Sequence, residues 1–248
     1  MNKEKFESAR QIVIKGNDKA SGIGTLKEGT LHKVLKYYEE SDEKLHEVKI
    51  GNFVADIMRD GKIIEIQTRA FANLRKKLNY FLQEYEVTIV YPIAYVKWIS
   101  WINLETGETS PKRKSPKKGV PHEIFFELYK IKSLLQHPRL KIDIILINIE
   151  EYKLLNGWSE DKKKGAHRKD RVPIELIDEI PLHSLADYIK LIPNTLSSSF
   201  TSKDFKEHTR LSLSKAQTAL NVLTYVGAVE RIGKKGNAYL YKKASHNI

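Results

Sequence analysis

The chain has no cysteine in 248 residues. That excludes disulfides, thiolate metal sites and cysteine nucleophiles in one step. It has no run of about 18 uninterrupted apolar residues, so no membrane-spanning helix and no membrane partner are expected. Met1-Asn-Lys-Glu-Lys-Phe6 lacks the apolar core of a secretion signal, and a cytoplasmic protein is the expectation. The sequence contains no Gly-x4-Gly-Lys-Ser/Thr and no Gly-x-Ser-x-Gly, which removes the P-loop and the nucleophile elbow. Gly22-Ile-Gly24 lacks a preceding strand and a third glycine, so it is no dinucleotide fingerprint. The 8 histidines are scattered without tight ligand spacing, which argues against zinc.

What is abundant is positive charge. Lys and Arg number 43 against 31 Asp and Glu, a formal charge of +12. Such an excess points to a polyanionic partner. Two clusters carry much of it, Lys112-Arg-Lys-Ser-Pro-Lys-Lys118 and Lys162-Lys-Lys-Gly-Ala-His-Arg-Lys-Asp-Arg171. Neither shows apolar periodicity, so both read as loops.

The most informative local pattern is Asn52-Phe-Val-Ala-Asp-Ile-Met58, then Asp60-Gly61, then Lys62-Ile-Ile-Glu-Ile-Gln-Thr68. Asp-Gly favours a tight hairpin turn. Folding there sets residue 59 against 62 and Asp56 against Glu65, with Gln67 on the same face. Both faces are mostly apolar, so an interior hairpin is expected, and two opposed carboxylates in such a place are unfavourable unless a cation lies between them.

Residues 1–22 form a polar segment, ordered in part at best. Apolar positions 31, 34, 35 and 38 are helically spaced, and Glu28 falls near the start of that helix. Residues 45–50 read as a first strand ahead of the hairpin. Phe71, Leu74, Leu78 and Leu82 form the stripe of an amphipathic helix, and Val87–Pro92 is a buried strand. Strand, helix and strand at this spacing give a crossover with parallel outer strands. Lys97–Asn103 reads as a separate strand, His122–Gln136 as a helix and Lys141–Ile149 as another buried strand. From residue 181 the pattern is helix, helix and a hairpin with Gly-Lys-Lys-Gly-Asn at its tip, the arrangement of a winged helix. Lys215, Gln217 and Thr218 would then face base edges or phosphates, and Lys234, Lys235 and Asn237 would meet the backbone.

The segment of residues 24–150 resembles the PD-(D/E)xK nuclease superfamily, the restriction-endonuclease-like fold, and a bacterial family within it that ends in a winged helix. The resemblance implies an αβββαβ core, an α/β fold, over residues 23–180 and a winged-helix domain over 181–248. Asp56 corresponds to the first motif acid, Glu65 to the second and Glu28 to the acid of the first helix. Mg²⁺ or Mn²⁺ would be held by Asp56, Glu65 and the main-chain carbonyl of Ile66. The motif asks for lysine where this chain has Gln67, which can orient a water but brings no charge. Arg69 is the first candidate for that charge and Lys97 the second. The expected function is metal-dependent hydrolysis of DNA, double-stranded by expectation, with the winged helix as the grip. Lys112, Arg113, Lys114, Lys117 and Lys118 would flank the phosphates, and a second copy of the chain is a further candidate partner. The alternative is a catalytically inactive DNA-binding or regulatory protein on the same scaffold. A third class is a winged helix that recruits a protein.

Overall fold

The computed structural model describes residues 1–18, 29–155 and 165–244. Within them the helices are α1 (Lys3–Asp18), α2 (Thr30–Glu39), α3 (Arg75–Phe81), α4 (Phe125–Lys130), α5 (Leu185–Lys190), α6 (Ser202–Thr209) and α7 (Leu213–Tyr225). The strands are β1 (His46–Ile50), β2 (Phe53–Arg59), β3 (Lys62–Ile66), β4 (Glu86–Asn103), β5 (Arg113–Lys114), β6 (Leu140–Leu155), β7 (Ala166–Leu182), β8 (Ser199–Phe200), β9 (Val229–Lys235) and β10 (Ala238–Lys243). Hydrogen-bonded neighbours run β1-β2-β3-β4-β6-β7 with β5 on β4, and separately β8-β10-β9. The fold is mixed α/β. No helix among the described residues is long and apolar enough to cross a membrane. The chain divides into two compact units, one of Met1–Met58, Pro92–Gly119 and Ile145–Glu179, the other of Arg59–Tyr91, Val120–Ile144 and Ile180–Ile248.

In the first unit, β1 and β2 pair antiparallel, with Val48 opposite Ala55. Helix α2 buries Leu31, Val34, Leu35 and Tyr38, as their spacing predicts. The polar first segment departs from expectation, because Lys3–Asp18 is a full helix. Its Phe6, Ala9 and Val13 are buried, and Phe6 meets Tyr38 edge-on at 5.6 Å. A stripe three residues long among charged neighbours is narrow in sequence, yet burying each large apolar side chain contributes about 1.5–3 kcal/mol. The two strands expected around Pro92 and Trp98 are one strand of 18 residues, β4. Neither Trp98 nor Trp101 is fully buried. The second basic cluster is a loop by sequence, but its residues 166–171 open strand β7, and residues 162–164 lie outside the described residues. The first cluster is a loop save for the short β5, which pairs antiparallel with β4. Gly119 closes that loop; a Cβ there would come within 2.3 Å of the Ala94 carbonyl oxygen.

In the second unit, Asp60 and Gly61 both have positive φ, 50° and 72°, as a two-residue turn of the Asp-Gly kind requires. Strand β3 and the opening of β4 are parallel, with Glu65 opposite Ile89, and α3 lies between them in sequence. The expected crossover pattern is present. The stripe Phe71, Leu74, Leu78 and Leu82 is buried. The helix expected over 122–136 is broken: Pro121–Ile124 and Lys132–Leu134 are 3-10 turns flanking the short α4.

After α5 come β8, α6, α7, β9 and β10. Thr201 caps α6 through Lys203 N and Asp204 N, and Ser212 caps α7 through Lys215 N. Ala216, Ala219, Leu220, Val222 and Leu223 bury one face of α7. Lys132 Nζ donates to Asn221 Oδ1 at 3.1 Å, and Gln136 Nε2 to the Tyr225 carbonyl at 2.9 Å, tying α7 to the segment around α4.

Candidate functional site

Asp56 sits on β2 in the first unit. Its side of that strand is more open than an interior hairpin predicts: Val54 is 49% exposed, while Ala55 and Ile57 are fully buried. His32, on the first turn of α2, brings Nε2 within 3.2 Å of Asp56 Oδ2, and the ring nitrogen donates because a carboxylate only accepts. What fixes that turn is a remote cap. Gly29 supplies no side chain at the N-cap, and Asp170 on β7 accepts from Thr30 N at 3.1 Å and from the Thr30 hydroxyl. Glu28 lies outside the described residues. His32 was missed in the sequence, because its partner Asp56 lies 24 residues away, a pairing no local pattern encodes.

Glu65 sits on β3 in the second unit and is 2% exposed, with Ile63, Ile64 and Ile66 buried around it. Lys77 of α3 places Nζ 2.6 Å from Glu65 Oε2. A carboxylate so far from water needs such a partner. Lys77 was not singled out from sequence, because its position follows from α3 docking its Phe71, Leu78 and Phe81 face.

Gln67 is committed elsewhere. Its backbone N–H continues the ladder to the Val90 carbonyl at 2.9 Å. Its side-chain amide nitrogen donates to the carbonyls of Arg69 and Ala70. With two carbonyls as partners, the amide nitrogen must be the end that points there. Gln67 thus pins the turn in which Ala70 takes left-handed φ 57°. Phe71 N, just beyond, donates to the buried Glu127 Oε2 at 2.8 Å. Arg69 is exposed. Lys97, the other candidate for the missing charge, pairs with Glu151 at 3.3 Å in the first unit.

The candidate DNA contacts fall into three exposed groups. Lys112, Arg113, Lys114, Lys117 and Lys118 are exposed along the loop; Lys112 pairs with Glu150, Lys114 lies over Trp98 and Lys118 over Tyr95. Lys215 and Gln217 are exposed on the opening of α7, while the Thr218 hydroxyl donates to the Ser214 carbonyl at 3.0 Å. Lys234, Lys235 and Asn237 are exposed at the β9–β10 tip. Arg231 stacks over Tyr239 at 4.4 Å beside them.

A family model described as a domain of unknown function, DUF8091, matches residues 29–183. The chain belongs to this family. An uncharacterized protein of Treponema pallidum (strain Nichols) is 28% identical over 227 residues, covering 89% of this chain and 87% of that protein. That similarity is longer than the family segment, so it reaches beyond residues 29–183. No solved structure matches. The family segment contains His32, Asp56, Glu65, Lys77 and the basic loop, and ends at residue 183, before α5.

Proposed function

We propose that this protein is a divalent-metal-dependent nuclease acting on DNA, with its C-terminal segment serving as a winged-helix grip. The observation that carries the reading is Glu65: a carboxylate 2% exposed on a strand of isoleucines, held by an ammonium and followed by a parallel strand across a helix. The element order α2-β1-β2-β3-α3-β4 supports the αβββαβ core that the resemblance implies. The order α5-β8-α6-α7-β9-β10, with its sheet β8-β10-β9, supports the winged-helix reading of this segment.

The resemblance assigns the cation to Asp56, Glu65 and the Ile66 carbonyl. They are hard oxygen donors of the kind Mg²⁺ and Mn²⁺ take. The cation, when bound, activates a water and neutralises a phosphate oxygen. His32 orients Asp56. Lys77 supplies the positive charge that the motif assigns to the Gln67 position, from a helix instead of the strand. Gln67 holds the turn.

A second reading, a DNA-binding protein without activity, is favoured by the commitment of the Gln67 amide to that turn. Cleavage of labelled duplex, single-stranded and branched DNA in Mg²⁺ and Mn²⁺ separates the two. The nuclease reading expects Asp56→Ala and Glu65→Ala each to lower cleavage about 100-fold or more. Salt-sensitive binding with no cleavage in either metal establishes the second reading.

A further inference from the structure

We infer that the first unit carries a phosphate-binding site of its own, built by Lys97, Lys153 and Arg168 around the buried Glu151. It rests on the reading above only in taking a nucleic-acid strand as the source of the phosphate. Glu151 on β6 is 3% exposed. Lys97 Nζ on β4 lies 3.3 Å from its Oε2, Arg168 Nε on β7 also 3.3 Å from Oε2, and Lys153 Nζ, two residues along β6, 3.6 Å from Oε1. Strands β4, β6 and β7 are neighbours, so three cations from three adjacent strands converge on one sheet face.

One cation is enough to compensate one buried carboxylate. Here, among the described residues, three share it, and the cluster keeps an excess of two positive charges. Like charges gathered at partly shielded positions repel, and Lys97 and Lys153 are only 28% and 19% exposed. The arrangement is favourable when an anion completes it. Glu151 fixes the cations in place without neutralising them, and the guanidinium and ammonium groups retain donors for phosphate oxygens. Burial alone would raise the Glu151 carboxyl; the charges of Lys97 and Arg168, the Lys97 hydrogen bond and Lys153 outweigh it and hold the group below its usual range, so it stays charged. Along β4, two residues before Lys97, Tyr95 carries Lys118 over its ring at 4.0 Å. Strand alternation puts Tyr95 on the Lys97 face, extending the positive surface toward the basic loop.

The site takes phosphodiesters of a nucleic-acid backbone without reading bases. The test is fluorescence anisotropy of labelled 20-nucleotide single-stranded and duplex DNA on the full chain, in EDTA, across a series of salt concentrations. A Lys97→Ala/Arg168→Ala variant should bind roughly tenfold more weakly, and its salt slope should fall by about 2, one for each lost contact. Glu151→Gln should bind more tightly than the wild type, because the competing anion is gone. A purely structural ion-pair network gives the opposite sign for that variant. If Glu151→Gln does not fold, Lys153→Ala/Arg168→Ala, whose melting temperature is checked alongside, carries the test. Wild-type affinity and slope in folded double variants overturn the inference, as does binding to phosphatidylserine vesicles without binding to DNA. Binding is read without a catalytic metal, so a triad that binds in a chain that never cleaves rejects the nuclease reading and keeps this one. Cleavage lost in Asp56→Ala, with a triad that makes no difference to binding, does the reverse.

Discussion

Glu65 and Glu151 are both glutamates on strands, exposed by 2% and 3%, yet their surroundings differ in kind. Glu65 is enclosed by isoleucines and held by Lys77 from a helix at 2.6 Å. Glu151 is shared by two lysines and an arginine across three strands at 3.3 to 3.6 Å. Burial of a carboxylate therefore does not by itself define a role. The groups around it do: buried isoleucines and the Lys77 ammonium at Glu65, and three cations with an excess of two positive charges at Glu151, which an anion would remove.

The largest expected effect breaks this comparison by stability. Lys77→Ala removes the ammonium 2.6 Å from a carboxylate that water does not reach and should cost about 1.5–3 kcal/mol. Lys97→Ala leaves Arg168 and Lys153 on Glu151 and should cost about 1 kcal/mol or less. Urea unfolding of the two variants measures both; equal losses would show that the two environments do not differ as described. Lys77→Arg should recover most of the stability, since it restores the charge.

How much of this was legible in the sequence follows from what kind of contact each feature needs. The stripes at 31, 34, 35 and 38 and at 71, 74, 78 and 82 and the Asp60-Gly61 turn are set by neighbours within a few residues, and all of them are present. Asp56 and Glu65 stood out for the same reason. Helix α1 escaped notice because Phe6, Ala9 and Val13 make a thin stripe that only docking against α2 makes visible. The strand character of residues 166–171 is set by the neighbouring β6, against a local composition that reads as loop. Lys77, Arg168 and Asp170 find their partners 12, 17 and 140 residues away, a pairing no local pattern encodes.

A smaller effect sharpens the Glu151 side. Its carboxyl is held below the ordinary value of 4.5, so the folded protein releases that proton more readily than the unfolded chain. The resulting stabilisation is present above pH 4.5 and is lost as pH falls through the lower folded value. Melting temperatures between pH 6 and pH 3 should fall less steeply in Glu151→Gln than in the wild type. Parallel curves would remove Glu151 from the acid response.

The smallest effect comes from a buried group that keeps no charge. His122 donates from Nε2 to the Leu191 carbonyl at 2.7 Å, its Nδ1 has no partner among the described residues, and it packs against Phe125 and Phe205. Burial pushes its imidazolium below the ordinary 6.5, opposed in part by that hydrogen bond. The stability it confers is present above pH 6.5 and declines as pH falls below it. The melting temperature should drop by a few degrees between pH 7 and pH 5. His122→Phe should flatten that interval, and an unchanged slope would contradict the assignment.

The contrast between the two glutamates is tested most directly by Mn²⁺ binding to the full chain, measured by calorimetric titration of the wild type, Glu65→Gln and Glu151→Gln. The account predicts a site in the wild type that is lost in Glu65→Gln and retained in Glu151→Gln. Mn²⁺ binding that survives Glu65→Gln and disappears in Glu151→Gln, or a wild type that binds no Mn²⁺, would contradict it.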